Sequence, residues 1–167
     1  MTIEIAGKSL TKTAITCMVW PVMKLIITIL SVLMFSLSAF ADNVTDLRPA
    51  IKEAADANGI DPVLMEAIIR HESAHATSKA ARSKNNLAGI MGRRGQRSYG
   101  SKEECVADLG RILAKYKARG RVTTAQIGRV YCTTGGWSRY IDSYMKAIRS
   151  GKYGNVDLYS QPAAAAE

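Results

Sequence analysis

The residues able to do chemistry gather between Asp61 and Met91, in the stretch DPVLMEAIIRHESAHATSKAARSKNNLAGIM. Asp61 is a good helix N-cap and Pro62 fits the first helical position, where its missing N–H costs nothing, so a helix begins there. Met65, Ile68, Ile69 and Glu72 then fall at i, i+3, i+4 and i+7, which places Glu72 on an apolar stripe facing the core or a cleft. A carboxyl group so placed can act as general acid on a glycosidic oxygen, with the polar loop that follows forming one wall of the cleft. The same residues allow a second, incompatible reading. His71-Glu72-Ser73-Ala74-His75 matches H-E-x-x-H, two zinc ligands one helical turn apart with a glutamate between them. These are the only two histidines in the chain. A zinc site needs a third ligand, for which Glu103, Glu104 and Asp108 are candidates, and no extended metzincin signature follows.

The elements that would position Glu72 are mostly helical. Val44, Leu47, Ile51, Ala54 and Ala55 make a helical stripe that stops at Asn58-Gly59, and the Asp61-Pro62 helix follows after almost no linker, so the two should pack as a hairpin. From Ser73 to Tyr99 the apolar period disappears, leaving a long irregular segment of the kind that is usually functional or disordered. Any sheet would be a small ribbon within residues 85–100. Ser101 with Glu104 reads as a capping box for a third helix whose apolar face is Cys105, Leu109, Ile112, Leu113 and Tyr116, ending near Gly120. Thr123 with Gln126 repeats the signal ahead of a short helix in which Ile127, Val130 and Tyr131 point one way. Gly135-Gly136 breaks it, and Trp137, Tyr140, Ile141, Tyr144, Met145 and Ile148 form a final ladder ended by Gly151. Tyr140 is expected in the core, with its hydroxyl satisfied there.

The chain has 167 residues, 47% of them hydrophobic, enough for one domain with a core. Leu25 to Ala41 is an apolar run after Lys24 that ends in Ala39-Phe40-Ala41, an A-x-A signature, and reads as a Sec-type signal peptide cleaved after Ala41. Met1 to Val22 is long for an n-region, and Met23-Lys24 offers an ordinary start. The expected organisation is residues 1–41 as leader, 42–155 as the domain and 156–167 as a flexible tail. Losing the leader's Lys8, Lys12, Lys24 and Glu4 lowers the net charge from +9 to +7, still basic. Such a surface attracts polyanions, and export favours the cell wall or the membrane over nucleic acid, for which no motif stands out. Cys105 and Cys132 remain after the leader is gone, and in an oxidising compartment they would pair, adding about 3–4 kcal/mol by the chain-entropy estimate. No cofactor is expected, the membrane is met only through the leader, and a monomer is expected. Arg93, Arg94 and Arg97 are either a solvated loop or a clamp on substrate carboxylates.

Glu72-Ser73 followed by Ser78 and Ala81, then Asn85-Asn86-Leu87-x-Gly89-Ile90, then Tyr99-x-Ser101 before an acidic helix, then Tyr131 and Trp137 ahead of the last helix, resembles the bacterial peptidoglycan N-acetylglucosaminidases of the lysozyme-like superfamily. The resemblance runs from about Pro62 to Ile148. It implies a mostly α, lysozyme-like fold that cleaves the β-1,4 bonds of peptidoglycan glycan strands, with Glu72 as the catalytic acid. It further implies a groove lined by Asn85, Asn86, Leu87, Gly89, Ile90 and Tyr99, and Tyr131 as the cleft tyrosine counted with the catalytic residues. Where the family has G-W-G after Glu-Ser, this chain has Ala74-His75-Ala76, and the turn's usual Phe and Lys are Ala88 and Met91. A glycosidase ordinarily uses a second carboxylate, yet no acid lies between Glu72 and Tyr99. Glu72 would then act either with the substrate's N-acetyl group or with the muramyl hydroxyl, the latter being the lytic transglycosylase outcome.

Overall fold

A computed structural model of the chain describes residues 43–132 and 135–161. The expected leader and its expected cleavage site lie outside the described residues. A 3-10 turn, Thr45–Leu47, leads into α1 (Arg48–Asn58), followed by α2 (Pro62–Glu72) and the short α3 (Lys79–Lys84). A two-stranded ribbon, β1 (Met91–Gly92) with β2 (Gly95–Gln96), pairs Met91 with Gln96 and Gly92 with Gly95 in antiparallel register. Then come α4 (Lys102–Ala118), α5 (Thr124–Tyr131), α6 (Trp137–Arg149) and a closing 3-10 turn, Asp157–Ser160. The expected mostly α architecture and the small ribbon are both present. The segment after Glu72 is more regular than its sequence suggests, because Ser78 caps α3 through the Ala81 amide.

Helix α2 is the centre of the packing. Asp61 caps it by accepting from the Val63 amide at 2.8 Å, and every residue from Val63 to Arg70 is buried. It lies against α1 on one side and α6 on another, while α1 also packs on α4. A helix buried on all faces carries its polar side chains only if they are fully partnered. Glu66 and Arg70 meet that condition. The Glu66 carboxylate accepts from Arg48 and Arg70, and from the Tyr159 hydroxyl at 2.6 Å. Burial pushes the Tyr159 phenol above its ordinary range, as does the adjacent Glu66 charge, so the hydroxyl stays a donor. This corrects the expected boundary: residues 156–161 are not a free tail but bring Tyr159 onto the core, and the domain extends past 155.

Three further expectations change. Ser101 caps α4 as expected, but Glu104 reaches back to the Gly100 amide at 2.8 Å rather than to Ser101, so only half of that capping box forms, whereas the Thr123–Gln126 box is complete. Tyr140 is not a core residue: it is 60% exposed and stacks on the His71 ring with centroids 5.4 Å apart. Cys105 and Cys132 are free thiols, not a disulfide. The buried Cys105 sulfur instead accepts from the Leu87 amide at 3.2 Å, which ties α4 to the loop before the ribbon.

The exit from α2 is the unusual piece of backbone. Ala74, His75 and Ala76 all have left-handed φ, at 48°, 57° and 64°, which costs a non-glycine residue about 1–2 kcal/mol each. The family resemblance puts glycines at the first and third of these positions. Buried Ser73 holds the turn together, since its hydroxyl donates to the Ile69 carbonyl and accepts from the Ala76 amide at 2.7 Å. Replacing Ser73 by Ala strands that amide, so Ser73→Ala should lower the unfolding free energy by about 1–3 kcal/mol. Denaturant melts of the two proteins measure this directly.

Candidate active site

Glu72 stands where α2 leaves the core, half-buried. One carboxylate oxygen, Oε1, accepts from the Trp137 indole Nε1–H at 2.8 Å. Trp137 is buried at the start of α6, and its orientation is set by two residues of α5. Gly128 leaves room for the indole, since a Cβ there would lie 3.0 Å from the ring, and Tyr131 stacks on it with centroids 5.2 Å apart. With Oε1 engaged, Oε2 is the oxygen turned to the loop that carries Gly89.

Oε2 faces Gly89. A Cβ on Gly89 would sit 3.0 Å from it, and φ at Gly89 is +62°, so both space and backbone require glycine there. Gly89 also separates two hollows. The first, about 490 Å3, is lined by Glu72, Ser78, Lys79, Ser83, Lys84 and Gln96. The second, about 410 Å3, has Ile112, Tyr116 and Val130 on its walls and shares Gly89. Oε2 of Glu72 is therefore aimed at the residue common to both.

The sequence-derived site residues divide by role. Asn86 is buried, and its amide group is used entirely by the loop: it donates to the Ile90 and Arg97 carbonyls and accepts from the Ile90 amide. It shapes the loop that carries Gly89 and also borders the Glu72 hollow. Leu87 is fully buried and Ile90 nearly so, anchoring that loop in the core. Asn85 ends α3 in a left-handed conformation and donates to the Tyr99 and Gly100 carbonyls. The Tyr99 hydroxyl donates to Asp108 at 2.8 Å, away from the hollows around Glu72. Tyr131 donates to the Ala88 carbonyl at 2.5 Å. Burial and the nearby Glu72 charge push its phenol well above the ordinary range, so it is held as a donor to the loop.

The downstream acids are committed elsewhere. Burial disfavours the Asp108 charge, but the Tyr99 hydrogen bond with the Arg97 and Arg111 charges outweighs it and holds the carboxyl below its usual range. Arg97 is thereby consumed within the fold rather than offered to a substrate. Glu104 takes the Gly100 amide. Among the described residues no carboxylate other than Glu72 lines either hollow.

The two histidines are not built as a metal pair. Helix α2 stops at Glu72 and His75 lies in the left-handed turn, so the regular one-turn spacing that H-E-x-x-H relies on is lost. The His75 ring nitrogens face the Arg70 guanidinium at 3.2 Å and the Tyr144 hydroxyl at 3.4 Å, while His71 stacks on Tyr140. A cation beside Nδ1 is the wrong neighbour for a zinc ligand.

The Trp137–Glu72 contact joins residues 65 positions apart and was not visible in the sequence, where Trp137 read as a core residue of the α6 ladder. Gly128, one turn before Cys132, was likewise unmarked. Gly89→Ala should displace the Glu72 carboxylate and cost about 1–2 kcal/mol in backbone strain. Trp137 is the only tryptophan after residue 41, so its indole N–H resonance reports the contact in residues 42–167. The signal should shift towards that of an unbonded indole, and an unchanged signal would contradict the geometry.

Comparison with known proteins bears on the family and the fold. The sequence model of the family described as mannosyl-glycoprotein endo-beta-N-acetylglucosaminidase matches residues 48–161. The fold is similar to that of the catalytic domain of the autolysin Auto from Listeria monocytogenes, with a TM-score of 0.55 at 17% identity, over 66% of this chain and 85% of that one. No curated protein matches in sequence.

Proposed function

From the premise that the chain belongs to the glucosaminidase family of glycoside hydrolases, we propose that it hydrolyses the β-1,4 glycan strand of peptidoglycan at N-acetylglucosaminyl bonds, with Glu72 as the only catalytic carboxylate. One observation carries this reading: Glu72 is fixed by the Trp137 indole with Oε2 facing Gly89, and no second acid lines the hollows beside it among the described residues.

In the proposed reaction the Glu72 carboxyl gives its Oε2 proton to the glycosidic oxygen as the bond from C1 breaks. The carbonyl oxygen of the substrate's own 2-acetamido group closes on C1 in place of a protein nucleophile. Water then adds to C1 and reopens that ring, passing its proton to the Glu72 carboxylate and restoring the acid. The Trp137 N–H is the fixed dipole that steadies the carboxylate between the two steps. Tyr131 and Asn86 act as positioning residues, through Ala88 and the Gly89 loop respectively. The wall as substrate and a periplasmic location are parts of the same proposal. The location rests on the leader-like run before Asp42, and the substrate on the family and the basic charge.

The test uses purified sacculi. Glu72→Gln keeps the shape of the side chain and loses the transferable proton, so strand cleavage should fall by about 10²–10⁴-fold with the melting curve preserved. His75→Ala in the presence of a strong chelator should still cleave. Wild-type rates in folded Glu72→Gln would remove this residue as the acid, and chelator-silenced wild type would restore the zinc reading.

A further inference from the structure

The two hollows flanking Gly89 differ in a way that a plain sugar chain does not explain. The one beside Glu72 has Ser78, Lys79, Ser83, Lys84 and Gln96 on its walls and no large apolar side chain. The second has an apolar wall: Met91 at 62% exposure and Val130 at 42% leave hydrocarbon in water there, beside Ile112 and Tyr116. Val130 reads from sequence as part of the buried face of α5, so its exposure here leaves apolar surface without a partner in the fold.

Two cations complete this hollow. Lys115 and Arg119 lie one helical turn apart at the C-terminal end of α4, both exposed and both lining it. Like charges at i and i+4 repel. Neither side chain meets a carboxylate among the described residues. The surrounding elements carry no acid that could serve: β1, β2 and α5 have none, and the acids of α4 sit at its other end, with Asp108 already held by Arg97 and Arg111. The hollow thus offers an apolar wall and an unneutralised pair of positive charges, sharing Gly89 with the proposed point of bond cleavage.

From this we infer that the second hollow receives the peptide branch of the wall polymer, an alkyl chain with free carboxylates, and that the enzyme prefers strands still carrying peptide. The inference rests on the reading of Glu72 as a peptidoglycan acid. A strand stripped of its peptides keeps only the short lactyl carboxylate of each muramyl ring, which cannot meet both cations and the apolar wall together. A short acidic peptide attached to the sugar satisfies both, its carboxylates on Lys115 and Arg119 and its methyl groups on Met91 and Val130.

The experiment compares three substrates: intact peptide-bearing strands, strands whose peptides have been removed by an amidase, and peptide-bearing strands whose carboxylates have been chemically amidated. Wild type should show the highest kcat/KM on the intact strands. The double variant Lys115→Ala/Arg119→Ala changes exposed side chains, so its melting curve should match wild type. Its loss on intact strands should exceed its loss on stripped or amidated strands by about tenfold or more, mainly through KM. Lys115→Arg/Arg119→Lys should restore most of the preference. Equal losses on all three substrates, or no loss on intact strands, would overturn the inference while leaving cleavage of stripped strands as support for the proposed function. Failure of wild type to cleave any of the three would instead overturn that function. A preference that survives amidation but not peptide removal would assign recognition to the apolar wall alone and reject the role of the cations.

Discussion

Burial of α2 on every face is the constraint from which the rest of this domain follows. A helix with Met65, Ile68, Ile69 and Leu64 all in the interior can present side chains to a ligand only at its ends, and Glu72 is its last residue. The carboxylate is therefore held by the best-packed element of the fold, while its surroundings come from elements that converge on that end: the Gly89 loop, α5 and the start of α6. Central burial also forces Glu66 and Arg70 into the core, where Arg48, Tyr159 and Arg70 together satisfy the carboxylate. The chain ends of the domain, around Arg48 and Tyr159, are thus fastened to the same helix that carries Glu72.

The turn after Glu72 carries a strain with a spatial purpose. Three consecutive left-handed residues reverse the chain within one turn and send it into α3, which puts Ser78, Ser83 and Lys84 on the wall opposite the carboxylate. Ser73 makes the reversal tolerable by satisfying the Ala76 amide from inside the turn.

What could be read from the sequence was what local spacing encodes. Asp61-Pro62 marked the start of α2, the apolar interval placed Glu72 on its buried stripe, and Thr123 with Gln126 marked α5, because caps and periodicity act over a few residues. The H-E-x-x-H match was ambiguous for the same reason: the pattern presumes continuous helix, and the left-handed φ values of Ala74, His75 and Ala76 are not signalled by those residue types. Long-range partners were the other blind spot. Trp137 on Glu72, Tyr159 on Glu66 and the Leu87 amide on Cys105 join distant positions, and neither period nor propensity carries that information. Two cysteines after a leader-like run suggested a disulfide, but the sulfur of Cys105 is taken up by a backbone amide instead.

A cleft with one carboxylate makes a specific claim about chemistry, because the group that stabilises C1 must then come from the substrate. Two substrate groups could do so, the 2-acetamido oxygen of the N-acetylglucosaminyl residue or the 6-hydroxyl of a muramyl residue, and they leave different chain ends. Digesting purified sacculi in heavy-oxygen water and reading the new ends by mass spectrometry separates them. The account predicts reducing N-acetylglucosamine ends that carry heavy oxygen at C1. New ends that are 1,6-anhydro-muramyl and free of heavy oxygen would contradict it.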